Sequence, residues 1–291
     1  MNRIFLLVIW LCVLASCEKQ IPLKQFKFEE KLVLNCYNDV NSELSFWLSK
    51  SVNTTEVPEL NNLNGFTTIL VKEDSTAIYY DDAEVVDGLV VLPIHIKPGF
   101  DYSIQLQFEE FPTIAAVDHS PSHKPQFSIL SADEHGDYYR VKIELYDSES
   151  TSKFLLQTYL KQIDTSSGNS ILLEEDVKFS SGDEVFVSSI NTLSSKSAFG
   201  IFEDNLFQNS SRIIELSIAK KEFNTSCIDK KIKVKISSVS DIMFNYYIGL
   251  LQNNHIYGGP LATYTLDNGN VYNGLGVFGL YASQSDTINV N

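Results

Sequence analysis

The chain has 291 residues, 44% of them hydrophobic and 20% charged, enough apolar side chain to pack one or two domains and too little charge for a disordered polyelectrolyte. Its 22 Lys and Arg against 37 Asp and Glu leave a formal charge of −15. That balance argues against nucleic acid as a partner, because phosphate binding needs a surplus of cations, and against adhesion to anionic lipid through a basic patch.

Residues 1–16 read as a lipoprotein signal peptide and are set aside from the fold. Arg3 precedes an apolar run from Ile4 to Leu14. The run is too short to span a bilayer, which takes about 20 residues, and has the length of a signal-peptide core. It ends in Leu14-Ala15-Ser16-Cys17, which resembles a bacterial lipobox. The expectation is cleavage before Cys17, acylation of Cys17 (palmitate being a usual chain), and a polar tether over 17–30. One acyl chain binds a membrane marginally, at about 0.8 kcal/mol per buried CH₂, whereas two or more hold it stably. Glu18 rather than Asp follows the Cys, and in lipoprotein sorting Asp there often signals inner-membrane retention, so the outer membrane is expected, with either face open. Arg3 is the one charged residue ahead of Cys17, so cleavage leaves a body of net charge −16.

Four Cys and five His are too few for a disulfide-stapled scaffold or a zinc-finger array. Cys36 and Cys227 remain in the mature chain, far apart in sequence. An oxidising compartment permits a bridge between them; the alternative is two buried small hydrophobes in different domains.

From Lys31 the pattern alternates with period two. Lys31–Cys36 and Phe46–Leu48 are short apolar runs, and Thr67–Lys72 alternates up to a polar turn at Glu73-Asp74-Ser75. After the turn at Lys97-Pro98-Gly99, Tyr102–Phe108 puts its apolar side chains on one face. About seven strands over 31–118 predict an N-terminal Ig-like β-sandwich. Asp118–Pro125, with two Pro and little apolar content, reads as a linker.

A larger C-terminal β-sandwich is predicted over 126–291. Tyr139–Tyr146 alternates, as do Ile214, Leu216 and Ile218. Lys231–Ile236 is the cleanest case, and its Lys row would face water and blunt an exposed edge. One helix is predicted near 241–253, with Ser240 as N-cap and Asp241 at the positive end of the dipole. Ile242, Tyr246 and Leu250, widened by Tyr247 and Leu251, make its apolar stripe, and it is expected to cover one opening of the second sandwich. The fold class is therefore all-β, two β-sandwich domains with one covering helix.

Few residues point to chemistry. Gly274-Leu275-Gly276-Val277-Phe278-Gly279 matches G-x-G-x-x-G, but only twelve residues follow it and they read as strand, so the dinucleotide reading lacks its helix and its acid. Asn273, Gly274, Gly276, Phe278 and Gly279 are read instead as a structural motif, glycines for backbone geometry and Phe278 as a core plug. His119 and His123 stand four apart beside Asp118, a spacing that could seat a metal on a helix, but Pro121 lies between them. They are read as solvated loop histidines. Asp133-Glu134-His135-Gly136-Asp137 lacks the ligand spacing of an EF-hand and reads as a strand-connecting turn. No G-x-S-x-G, H-E-x-x-H or Walker loop is present, and the scattered acids single out no pair for glycoside hydrolysis. No enzymatic activity, cofactor or metal is expected.

Cys17-Glu18-Lys19-Gln20-Ile21, Lys31-Leu32-Val33-Leu34-Asn35, Lys97-Pro98-Gly99-Phe100-Asp101-Tyr102, Gly259-Pro260-Leu261-Ala262 and Asn273–Tyr281 together resemble the Bacteroidota lipoproteins grouped as domain of unknown function 4249. Two positions depart: Cys36 stands where Gly is usual, and Asp147-Ser148 replaces an acidic D-P turn. The resemblance implies no established enzymatic activity. Its members are often encoded beside TonB-dependent outer-membrane transporters, which implies an accessory or binding subunit of such a transporter, held by acyl chains on Cys17. The alternative is a surface module that binds a glycan or small ligand. Aromatic residues are 12% of the chain, and a solvent-facing row of Trp47 and tyrosines would favour that alternative over core filling.

Overall fold

The computed structural model describes residues 29–51, 63–146, 152–164, 170–186, 199–223, 227–256 and 269–290, the side chains of 252–256 excepted. The signal peptide, Cys17, the tether up to residue 28, Asp147-Ser148 and Gly259–Ala262 lie outside the described residues.

Strands β1 (Leu32–Asp39), β2 (Glu43–Lys50), β3 (Gly65–Glu73), β4 (Thr76–Val85), β5 (Leu89–His95), β6 (Asp101–Phe108) and β7 (Ile114–His119) come first. They are followed by β8 (Gln126–His135), β9 (Tyr138–Tyr146), β10 (Lys153–Asp164), β11 (Ile171–Asp176), β12 (Phe179–Ser180), β13 (Phe199–Glu203), β14 (Ser211–Ala219) and β15 (Ile228–Val239). Helix α1 (Asp241–Ile256) and the long strand β16 (Leu275–Asn289) complete the fold, which is an all-β sandwich architecture. Alternation drives it: Tyr102, Ile104, Leu106 and Phe108 of β6 are buried, and Ser103, Gln105 and Gln107 between them face outward.

One long sheet runs β11-β10-β15-β16-β1-β2-β5, with β13 also paired to β10. Two four-stranded sheets, β4-β3-β6-β7 and β12-β14-β9-β8, cover its inner face side by side. The first core packs Leu34, Cys36, Phe46 and Leu48 of the long sheet against Ile69, Val71, Ile104 and Leu106. The second packs Leu156, Val234 and Ile236 against Val141, Ile143, Ile214 and Leu216.

Strand β16 serves both. It pairs in parallel with β1, from Val33↔Leu275 to Asp39↔Tyr281, and antiparallel with β15, from Lys231↔Asn289 to Val239↔Tyr281. Its inward residues Phe278, Leu280 and Ala282 fill the first core, and Ile288 packs on the second. Between them Gln284 donates to the Phe127 carbonyl (3.4 Å) and Asp286 accepts the Ile129 N–H (3.1 Å), so polar groups fill the seam. Residues Lys31–Asn291 form one unit.

Two sequence expectations are corrected. The helix does not cap a sandwich opening. It lies on the outer face of the long sheet, with Met243, Phe244 and Leu251 packed on Leu155, Ile201 and Val239. The packed stripe is therefore Met243, Phe244 and Leu251 with half-buried Tyr247 and Ile248, so Tyr247 and Leu251 of the expected stripe lie on it and Ile242, Tyr246 and Leu250 do not. A segment apolar on nearly every side carries no sharp period, and the neighbours decide which side is covered. Strand β15 is internal, between β10 and β16, so its Lys row guards no edge. That row lies on the outer face, where Lys233 reaches Glu174 (2.6 Å) and sits over the Tyr159 ring (5.0 Å).

Candidate functional site

Between the end of β7, the 120–125 segment, the start of β10 and the start of α1 lies a cavity of about 1090 Å³. That is slightly above the range of about 300–1,000 Å³ for small-ligand sites, which tend to form where packed units meet. Tyr102, Val117, Pro121, Pro125, Phe154 and Ile242 give it apolar wall; Asp74, Asp101, Asp118, His119, His123, Lys153 and Asp241 give it charge.

Asp118 is the most constrained of these groups. Ile114 and Ala116 point into the first core, and the same alternation carries Asp118 inward, where it is 6% exposed. Its carboxylate accepts the Leu280 N–H at 2.8 Å, the Ser240 hydroxyl and the His119 N–H. Burial pushes its pKa from 3.8 to about 6, against the opposing pull of those three donors. Ser240 also accepts the Met243 N–H (3.1 Å), so it caps α1 while donating to Asp118. One buried carboxylate thus ties β7, β16 and α1 together.

Several of the exposed charges of the cavity are engaged with one another. His119 Nδ1 meets Asp101 Oδ1 at 2.7 Å, and Asp74 accepts the Asp101 N–H at 2.9 Å. Lys153 reaches Asp241 at 2.7 Å and lies over the Phe244 ring at 5.1 Å. Chemically, the arrangement can hold a ligand of mixed polar and apolar character. His119, His123 and Asp118, read from sequence as a solvated linker, are brought together on its wall. The inward phase of Ile114, Ala116 and Asp118 was the signal available for that placement.

The glycine-rich motif lies at the entry to β16. Asn273 has φ 58° and donates to the Thr113 carbonyl (3.3 Å). A Cβ on Gly274 would meet Ile114 Cγ2 at 2.8 Å; on Gly276, where φ is 101°, it would strike the Leu34 carbonyl oxygen at 2.1 Å. Phe278 is fully buried in the first core, and Gly279 lets Met243 of α1 approach the sheet. Asp133-Glu134-His135 end strand β8, with Glu134 paired to Lys220, and Gly136-Asp137 alone make the hairpin turn to β9, Gly136 at φ 57°. Among the described residues no group of three or more His, Cys, Asp and Glu is placed to hold a metal. Cys36 and Cys227 are both buried free thiols, and Cys36 donates to Asn38 Oδ1 at 2.9 Å.

A second surface lies on the outer face of the long sheet. Trp47 pairs with Asn35, which shares its face with Tyr37; Trp47 is 53% exposed and Tyr37 38%. The Tyr37 hydroxyl donates to that of Tyr246 (3.1 Å), and the ring contacts continue through Tyr247 to Phe199. Burial pushes the Tyr37 and Tyr247 phenols up, and that of Tyr281 to about 12.

Among the described residues no helix is long and apolar enough to cross a membrane. The family described as domain of unknown function (DUF4249) matches residues 18–287. No curated protein matches the chain.

Proposed function

The chain belongs to the DUF4249 family, and from that premise we propose that it is an outer-membrane-anchored lipoprotein acting as a non-enzymatic accessory or binding subunit, with a TonB-dependent transporter as its partner. The observation that carries this reading is Leu14-Ala15-Ser16-Cys17 at the end of a short apolar run, fourteen residues ahead of Lys31, where the folded body begins. Acyl chains on Cys17 supply membrane residence, the two sandwiches joined by β16 supply a compact body, and the cavity beside Asp118 supplies a place for a ligand or a partner segment. The transporter partner is the one the family resemblance implies.

Affinity isolation of the tagged protein from its native membrane in mild detergent tests the partner. Co-purification of a transporter is the expected result, and recovery as a lone monomer would overturn it. Replacing Cys17→Ser tests the anchor: the body should move from the membrane to the soluble fraction on fractionation.

A second reading, a module that binds a glycan or small ligand, is favoured by the exposure of Trp47 and Tyr37 on one face. Stacking of a sugar there predicts that Trp47→Ala and Tyr37→Ala each abolish retention on the oligosaccharide that the unmodified protein binds.

A further inference from the structure

We propose that the end of the first sandwich where the chain enters the fold seats directly in the lipid headgroup layer through Trp47 and Phe66. This rests on the anchoring reading above. Lys31 enters beside Ser51, donating to its Oγ (2.8 Å) while accepting its N–H (2.9 Å). Strand β2 ends at the same place, since Lys50 pairs with Leu32. The Val86–Gly88 turn is there too: Gly88 accepts the Leu48 N–H and donates to Leu63, both at 2.7 Å, just ahead of β3. Among the described residues, large apolar side chains exposed at this end include Phe66 by 64%, Trp47 by 53% and Val86 by 51%.

Their directions select the occupant. Trp47 projects from the outer face of the long sheet, Phe66 from the outer face of the sheet opposite, and Val86 lies in the turn joining the two. A flat partner could cover one ring or the other. A deformable layer into which the end dips reaches both. An indole suits headgroup depth, its ring apolar and its N–H still able to find an acceptor. Lys31 and Lys50 flank the end, Lys50 resting over the Phe111 ring at 5.2 Å, with stems that can lie along the acyl boundary while the ammonium stays in water. Glu84, paired with Phe66, and Asp87, Glu109 and Glu110 offset those cations, so the seating depends on the rings and suits zwitterionic lipid. The anchor, fourteen residues from Lys31, keeps this end at high local concentration over lipid, so weak insertion is enough.

The mature chain reports on itself. Of the two tryptophans, Trp10 leaves with the signal peptide and Trp47 remains. The acylated mature protein is reconstituted with phosphatidylcholine vesicles, plain or brominated near the headgroup end of the acyl chains. Flotation reads anchoring, and Trp47 emission reads seating. In brominated vesicles Trp47 should lose most of its emission and resist aqueous quenchers; Phe66→Ser should restore part of that emission with flotation unchanged. Protein that floats with Trp47 indifferent to bromine overturns the seating and leaves the anchor standing. Protein that does not float overturns the anchor and the seating with it. Emission that ignores bromine but responds to added oligosaccharide, or to a copurified transporter, assigns Trp47 to that partner and overturns the seating.

Discussion

Asp118 gives the fold a pH dependence whose sign follows from its burial. Its carboxyl titrates near 3.8 when unfolded and near 6 when folded, so between those values the folded state holds the proton that the unfolded chain has released. Stability therefore falls as pH rises through that window and levels off above it, by about 3 kcal/mol for a carboxyl moved from 3.8 to about 6. Urea midpoints measured from pH 4 to pH 7 should decline in the native chain relative to Asp118→Asn, which removes the titration and leaves an amide oxygen to accept the Leu280 N–H. Parallel curves for the two proteins would refute the assignment. Gly276 makes the complementary case for backbone. With φ at 101° and the Leu34 carbonyl oxygen 2.1 Å from where a Cβ would stand, Gly276→Ala should cost more than about 2 kcal/mol. Gly136, at φ 57° with open space around it, should lose about 1 kcal/mol on the same substitution. Denaturant midpoints compare the two directly, and equal losses would show that contact with β1 is not what fixes Gly276.

Helix α1 depends on its N-cap, Ser240, more than its length suggests. Ser240→Ala removes the acceptor for the Met243 N–H and a donor to buried Asp118, and should cost about 1–2 kcal/mol, read as a lowered thermal midpoint. That start was legible in the sequence, because a Ser-Asp pair ahead of an apolar run has a local cause. So were β6, β9 and β15, whose alternation is strict enough that one face must be buried. The face of α1 was not legible, since Ile242, Met243, Phe244, Tyr246 and Tyr247 leave little contrast around the helix. Nor was the pairing of β1 with β16. Strands from opposite ends of the chain carry no local mark of each other, and a parallel ladder has no hairpin turn to announce it. The cavity was hidden for the same reason: its walls come from β6, β7, β10 and α1, and only their packing brings His119, Lys153 and Asp241 to one place.

Because β16 lies in both cores, neither sandwich holds its full complement of strands alone, and the two should unfold as one. Phe278, Leu280 and Ala282 leave the first core when β16 detaches, and the same motion strips the β15–β16 ladder from the second. Trp47, the tryptophan left after loss of the signal peptide, sits on the first sandwich and reports its unfolding alone, whereas far-ultraviolet circular dichroism reports strands throughout. Ile236 is buried in the second core, and Ile236→Ala should cost about 2–5 kcal/mol. In a cooperative unit that loss reaches Trp47: its fluorescence midpoint in urea should fall as far as the dichroism midpoint does. A Trp47 transition that stays in place while the dichroism curve moves down would mean that the halves melt separately and that β16 couples them weakly.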